Sequence, residues 1–158
     1  MSELGNLETA VVGLIAGLQS GGGSLFRSVA GFSDPDRKRS VAHIRSQVPP
    51  AALVIYTGRL RAAAADSVVG LPKLTVLISA ENLRGGDDPR VGDGTSQGGF
   101  DLLASVMGVL DGALVQTDRR LAAVDEQVAA GDDTGVVYEQ RYVVGREAEL
   151  SAPTFDGV

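Results

Sequence analysis

The sequence predicts an α+β domain, a mainly antiparallel sheet flanked by amphipathic helices. Three observations point to it. Leu4, Leu7, Val11, Leu14, Ile15 and Leu18 recur at steps of three and four, the signature of one buried helix face. In KLTVLISAE (73–81), Leu74, Val76, Ile78 and Ala80 alternate with Thr75, Leu77 and Ser79, and such a strand, apolar on both faces, belongs in the middle of a sheet. In VVYEQRYVV (136–144), Val136, Tyr138, Gln140, Tyr142 and Val144 share one face and Val137, Glu139, Arg141 and Val143 the other.

The remaining elements follow in order. The first helix is expected to run to about Gln19, capped by Ser2 or Asn6, and the SGGGS stretch (20–24) breaks it. LFRSVAGF (25–32) reads as a strand without clean alternation. Ser33 or Asp34 ahead of Pro35 signals a helix start. Its thin stripe is Val41, Ile44 and Val48, and Pro49-Pro50 ends it. AALVIYTGRL (51–60) is a strongly apolar strand, and AAAADSVVG (62–70) reads as an ambiguous piece, one arm of a hairpin at most. After 73–81 comes a Gly- and Asp-rich stretch, 82–98. Phe100, Leu103, Val106, Met107, Leu110 and Leu114 then mark a second amphipathic helix with Gly112 near its end. RRLAAVDEQVAA (119–130) fits helix or strand; the GDDTG turn cluster (131–135) and the alternating run behind it favour a strand and a hairpin. Strands and helices in this order predict helices on one side of the sheet. With no internal repeat or linker, the 158 residues form a single domain, whose C-terminal stretch 148–158 reads as an extended surface segment.

Composition excludes several function classes. The chain carries 20 Asp and Glu against 14 Lys and Arg, a net charge of −6. That argues against nucleic-acid phosphates as the main partner, which call for a cationic footprint. No cysteine is present, so disulfides and thiolate metal sites are out. The N-terminal stretch lacks a positive n-region and carries Glu3 and Glu8, unlike a secretion signal. No uncharged apolar run reaches the ~20 residues of a membrane helix, so no membrane association is expected.

Motifs for chemistry are tested and fail. GLQSGGGS (17–24) nearly has phosphate-loop spacing, but Gly23 stands where the Lys is needed, and the order is helix then strand. Asp87, Asp88 and Asp93 lack the alternate spacing and closing Glu of a calcium loop. His43, the one histidine, lies beside the Val41–Ile44–Val48 stripe with no activated nucleophile, and reads as a partly exposed structural residue. Arg37, Lys38 and Arg39 follow two aspartates and read as an ordinary helix start. Glu139 and Arg141, two apart on one strand face, suggest a cross-strand or intersubunit ion pair rather than an acid/base pair in a cleft. The residues predict a non-enzyme with no metal and no cofactor, and a long polar loop suited to assembly.

One segment carries a resemblance. A central strand runs into NLRG (82–85), a Gly-rich loop follows, and GGFDLLASVMGVLDG (98–112) leads to a hairpin ending YEQRYVVGRE (138–147). With the N-terminal helix and PPAALVIYTG (49–58), this resembles the tail terminator family of Mu-like bacteriophages and related prophages, over roughly residues 4–147. The resemblance implies a homo-hexameric ring on the head-proximal end of the tail tube. Such a ring stops tube polymerisation and offers a surface to the neck or head. It implies a virion protein of tail and neck, made in the host cytoplasm. Its partners would be copies of itself, the tail tube protein, a neck or head-completion protein and, in contractile tails, the sheath, with DNA only as passing cargo.

In that light, 82–99 is the first candidate surface for subunit or tube contact, with Asn82, Leu83, Arg84, Gly85 and Arg90 in it. Arg84 stands out because Arg suits interfaces and bidentate pairing. Glu139 and Arg141 of the hairpin are the second candidate. Other readings are a different head–tail connector or tail completion protein, or a small-molecule or peptide binding module with 82–99 as its lid.

Overall fold

A computed structural model of the chain describes residues 3–20, 22–60, 70–81, 99–132 and 135–150. Helix α1 (Glu3–Ala16) is followed by a two-strand ribbon, β1 (Gln19–Ser20) and β2 (Gly23–Ser24). Then come β3 (Ser28–Phe32), α2 (Arg37–Arg45), β4 (Ala51–Leu60), β5 (Leu71–Glu81) and α3 (Gly99–Leu110). The described chain finishes with β6 (Leu114–Gln116), β7 (Arg119–Asp132), β8 (Gly135–Gly145) and the short α4 (Glu147–Leu150).

Six strands form one sheet in the order β3-β4-β5-β8-β7-β6. Of its five pairings only β3–β4 is parallel, because α2 carries the chain back across the sheet between those two strands. The fold is thus the mainly antiparallel α+β arrangement that the alternation in 73–81 and 136–144 predicts. β5 is central, paired with β4 on one side and β8 on the other. The 119–130 segment is a strand, hairpinned onto β8.

The helices, however, do not share one side. Leu7, Val11 and Ile15 of α1 and Leu102, Val106 and Leu110 of α3 pack on Val54, Val76, Ile78, Tyr142 and Val144. Ile44 of α2 packs on the opposite face, against Ala51, Leu53, Ile55, Leu77 and Val137. Both faces of β4 and β5 are apolar because both are covered, which calls for a third layer. The covering is uneven. α2 has nine residues and reaches only part of its face.

Several boundaries differ from the sequence reading. α1 stops at Ala16, not Gln19, because Gln19 and Ser20 pair with Ser24 and Gly23. Asn6 lies inside the helix and is not its cap; Ser2 lies outside the described residues. α2 starts at Arg37, not at Asp34 or Pro35. Asp36 is the cap, its carboxylate accepting the Arg39 N–H at 2.9 Å. Asp34 accepts from the Asp36 N–H at 3.0 Å and pairs with the Arg39 guanidinium, which holds its carboxyl below the usual range. The strand expected at 25–32 begins at Ser28, with Leu25 and Phe26 buried ahead of it. Phe100 is 54% exposed and Leu114 lies beyond the helix in β6. At 100° per residue, Phe100 stands about 200° from Leu102 on the helix wheel, so it faces away from the core. Gly112, at φ 82°, turns the chain out of α3 as only Gly does readily. Of the stretch 148–158, expected to be extended, residues 148–150 belong to the helical turn Glu147–Leu150, whereas 61–69 and 151–158 lie outside the described residues.

A buried polar chain crosses the α1/α3 side of the sheet. Gln140 is fully buried. Its amide donates to the Leu103 carbonyl of α3 at 3.0 Å and to Glu126 of β7 at 2.8 Å. Its own oxygen accepts from the Tyr142 hydroxyl at 2.6 Å. Burial pushes the Tyr142 phenol well up, so it stays a donor. Close by, the backbone of Gly99 meets the Tyr138 ring so closely that an added Cβ would lie 2.6 Å from it.

Replacing Gln140 by Leu strands the Tyr142 hydroxyl, so a loss of about 2 kcal/mol is expected, read as a lower denaturant midpoint at unchanged slope. A second expectation concerns Glu8, whose pKa burial raises. Below the unfolded pKa both states carry the proton and nothing is lost. At neutral pH the folded state must hold a partly desolvated charge. Glu8→Gln should therefore raise the melting temperature at about pH 7, and the gain should vanish at about pH 3.5.

Candidate functional site

The α2 face of the sheet is apolar under the helix and polar beyond it. The polar half is built by alternation. Lys73 and Thr75 of β5 and Glu139 and Arg141 of β8 point to this face. Their neighbours Leu74, Val76, Tyr138 and Tyr142 point to the other, into the main core.

Two irregularities finish the site. Along β7 the pairing slips between Ala123 and Asp125, so Val124 is an extra residue. That bulge sets Asp125, not Val124, opposite Arg141, and Gln127 opposite Glu139. In β4 a second slip between Tyr56 and Gly58 leaves Thr57 facing the same hollow.

Arg141 and Asp125 form a two-pronged pair, with Nε donating to Oδ1 at 2.6 Å and Nη2 to Oδ2. Asp125, with Glu139 nearby, raises the Arg141 pKa further, so the guanidinium is charged at every working pH. Glu139 is only 7% exposed. Gln127 donates to its Oε1 at 2.6 Å, and Arg37 from the first turn of α2 lies 3.6 Å from its Oε2. The expected cross-strand ion pair thus exists, but it joins Arg141 to Asp125. Glu139 finds its cation on a helix instead.

These side chains do surround a cleft, contrary to expectation. Arg37, Thr57, Lys73, Thr75, Gln127, Glu139 and Arg141 line a hollow of about 260 Å³. A smaller hollow of about 60 Å³ lies at the other end of the face, by Ile44, Pro49, Ser79 and Val136.

The other predicted site residues, Asn82, Leu83, Arg84, Gly85 and Arg90, lie outside the described residues. His43 is exposed and stacks on Phe32, ring centres 4.7 Å apart, as a structural residue does. Among the described residues no three His, Cys, Asp or Glu side chains gather as a metal site would require. No helix among them is long and apolar enough to cross a membrane.

Sequence reasoning missed Asp125, Gln127 and Lys73. The faces of Asp125 and Gln127 were assignable only with the bulge at Val124 known, whereas Lys73 shares the face of Thr75 by alternation and was passed over because nothing local marks a hollow there. Among the described residues the sheet also has two edges without a further strand. β6 pairs only with Arg119 and Arg120, the 112–113 backbone bonds Leu121 and Asp111 takes the Ala123 N–H, so beyond Ala123 no strand among the described residues lies outside β7. None lies outside β3 either. Val128, on the β7 edge, is 59% exposed.

No family model matches the chain, and no curated protein matches it.

The Asp125–Arg141 pair is about a third exposed at both ends, so water screens it. A double-mutant cycle with Asp125→Ala and Arg141→Ala should return a coupling of less than about 1 kcal/mol. Urea titrations of the four proteins measure it.

Proposed function

We propose that this protein is a ring-forming subunit that caps the head-proximal end of a phage tail tube, like the tail terminators its sequence resembles. The observation that carries the reading is a pair of unlike edges on one sheet, β3 at one side and β7 past its short pairing with β6 at the other, with no further strand on either among the described residues. A closed ring is a head-to-tail arrangement, so each subunit must offer two different surfaces that fit each other. Open strand edges are natural pairing surfaces, and proteins that stay monomeric usually blunt them. Here the β7 edge carries an exposed Val128, with the exposed Leu114 on the strand beyond its start.

The function asks little chemistry of the chain. It needs a rigid body, which the two-sided packing of β4 and β5 supports, and segments that reach neighbours. The stretch 82–98 between β5 and α3, with Arg84 and Arg90, is the one the sequence offers for contact with the tube or the next subunit. A net charge of −6 suits a lumen through which DNA passes without sticking.

The purified chain should form rings of uniform mass, seen by sedimentation and negative stain, and should halt growth of purified tail tubes. Val128→Lys puts a charge on an exposed edge at little cost to folding. It should lower ring formation at least tenfold while the circular dichroism stays native. A chain that remains monomeric at every concentration and leaves tube length unchanged sinks the reading and favours a binding module.

A further inference from the structure

We infer that the polar hollow on the α2 face receives an acidic side chain from a neighbouring copy of this chain. The inference rests on the ring reading and adds to it a specific contact.

Charge is the first argument. The hollow is lined by three cations, Arg37, Lys73 and Arg141, and one carboxylate, Glu139. Counting Asp125, which Arg141 already holds, one positive charge is left over among the described residues. The chain as a whole has six negative charges in excess. The hollow is therefore a local inversion of sign, and the surface most available to complement it is that of another copy.

Lys73 is the second argument. It stands on the central strand, half-buried, with Thr75 nearly buried beside it on the same face. Its ammonium has no hydrogen-bond or ion-pair partner among the described residues, whereas Arg37, Arg141 and Glu139 all have one. A cation at the hollow that no described carboxylate holds is a ready partner for an arriving one. Glu139 already shows how this wall treats a carboxylate, with an amide N–H on one oxygen and a guanidinium near the other.

Size and position point the same way. A volume of about 260 Å³ holds an Asp or Glu side chain with its backbone. A phosphate dianion carries twice the charge that the surplus can match and would face Glu139 across the same space. The hollow also adjoins Gln127 on β7, beyond which no strand lies among the described residues. A copy approaching that edge arrives at the mouth of the hollow.

Sedimentation velocity over a concentration series, at low and high salt, tests this on the full chain. The variants are Lys73→Gln, which keeps the length of the side chain, and Lys73→Glu, with thermal melts to check that both fold. Wild type should assemble, less tightly in high salt. Lys73→Gln should assemble about tenfold more weakly, and Lys73→Glu more weakly still. If wild type assembles and both folded variants match it, the inference is wrong while the ring reading stands. If wild type never assembles, both fall. If inorganic phosphate raises the wild-type melting temperature, Lys73→Gln abolishes that gain and assembly is unchanged, the hollow is a phosphate site and the inference is overturned.

Discussion

The amide of Gln140 has to find all its hydrogen bonds inside the protein, and much of the architecture is arranged around that need. It sits fully buried in the middle of β8. A side chain with two donors and an acceptor is tolerable there only if its partners are fixed. One is a carbonyl of α3, one a carboxylate of β7 and one the hydroxyl of Tyr142. Those three bonds set where α3 lies along the sheet, which β7 residue stands opposite Gln140, and the rotamer of Tyr142. An apolar residue would pack there without demanding any of this. The polar one specifies a single register, because a slip of β7 by one residue would take Glu126 off this face.

That register carries through to the other face. The pleat that sends Gln140 and Tyr142 inward sends Glu139 and Arg141 outward, so the α1/α3 core and the α2-side hollow are two consequences of one alignment. The bulge at Val124 reconciles them. Without it, Val124 would oppose Arg141 and leave the guanidinium without its carboxylate. With it, β7 supplies Leu121 to the core, Asp125 and Gln127 to the hollow, and Glu126 to Gln140.

How much of this was legible depended on the range of the forces involved. The two faces of β5 and β8, and the core stripe of α1, follow from period alone, since a strand or helix buries the same residues wherever it packs. The side on which α2 lies is not periodic information. It follows from the β3–β4 parallel pairing, a contact between distant segments. The start of α2 was misplaced because Asp34 and Asp36 are both capable caps; which one caps was decided by Arg39, whose guanidinium takes the first and whose N–H takes the second. Of the candidate site, Glu139 and Arg141 were found because they share a face in sequence. Asp125 and Gln127 were not, because they join that face only after a bulge, nor was Lys73, whose face is periodic but whose place beside Glu139 and Arg141 depends on pairing between strands. The hollow itself exists because α2 is short, and no local pattern near Glu139 encodes the length of a helix a hundred residues earlier.

The unevenness of the two faces is the link to function. One face is packed against α1 and α3, and its buried Gln140 amide and Tyr142 hydroxyl are satisfied internally. Among the described residues the other is covered only under α2, and past the helix it shows charge, a hollow and, at β7, an edge with no strand beyond it. A protein working alone gains little from holding charged groups on half a sheet face, since covering them without partners costs desolvation. A protein that must meet its own copy does gain. Edge and hollow adjoin each other, so a neighbour approaching one meets the other, with backbone pairing supplying affinity and the charged hollow selecting the partner. On this view the unburied half of the sheet is not an unfinished core. In the proposed ring it is the part of the core that the next subunit would complete.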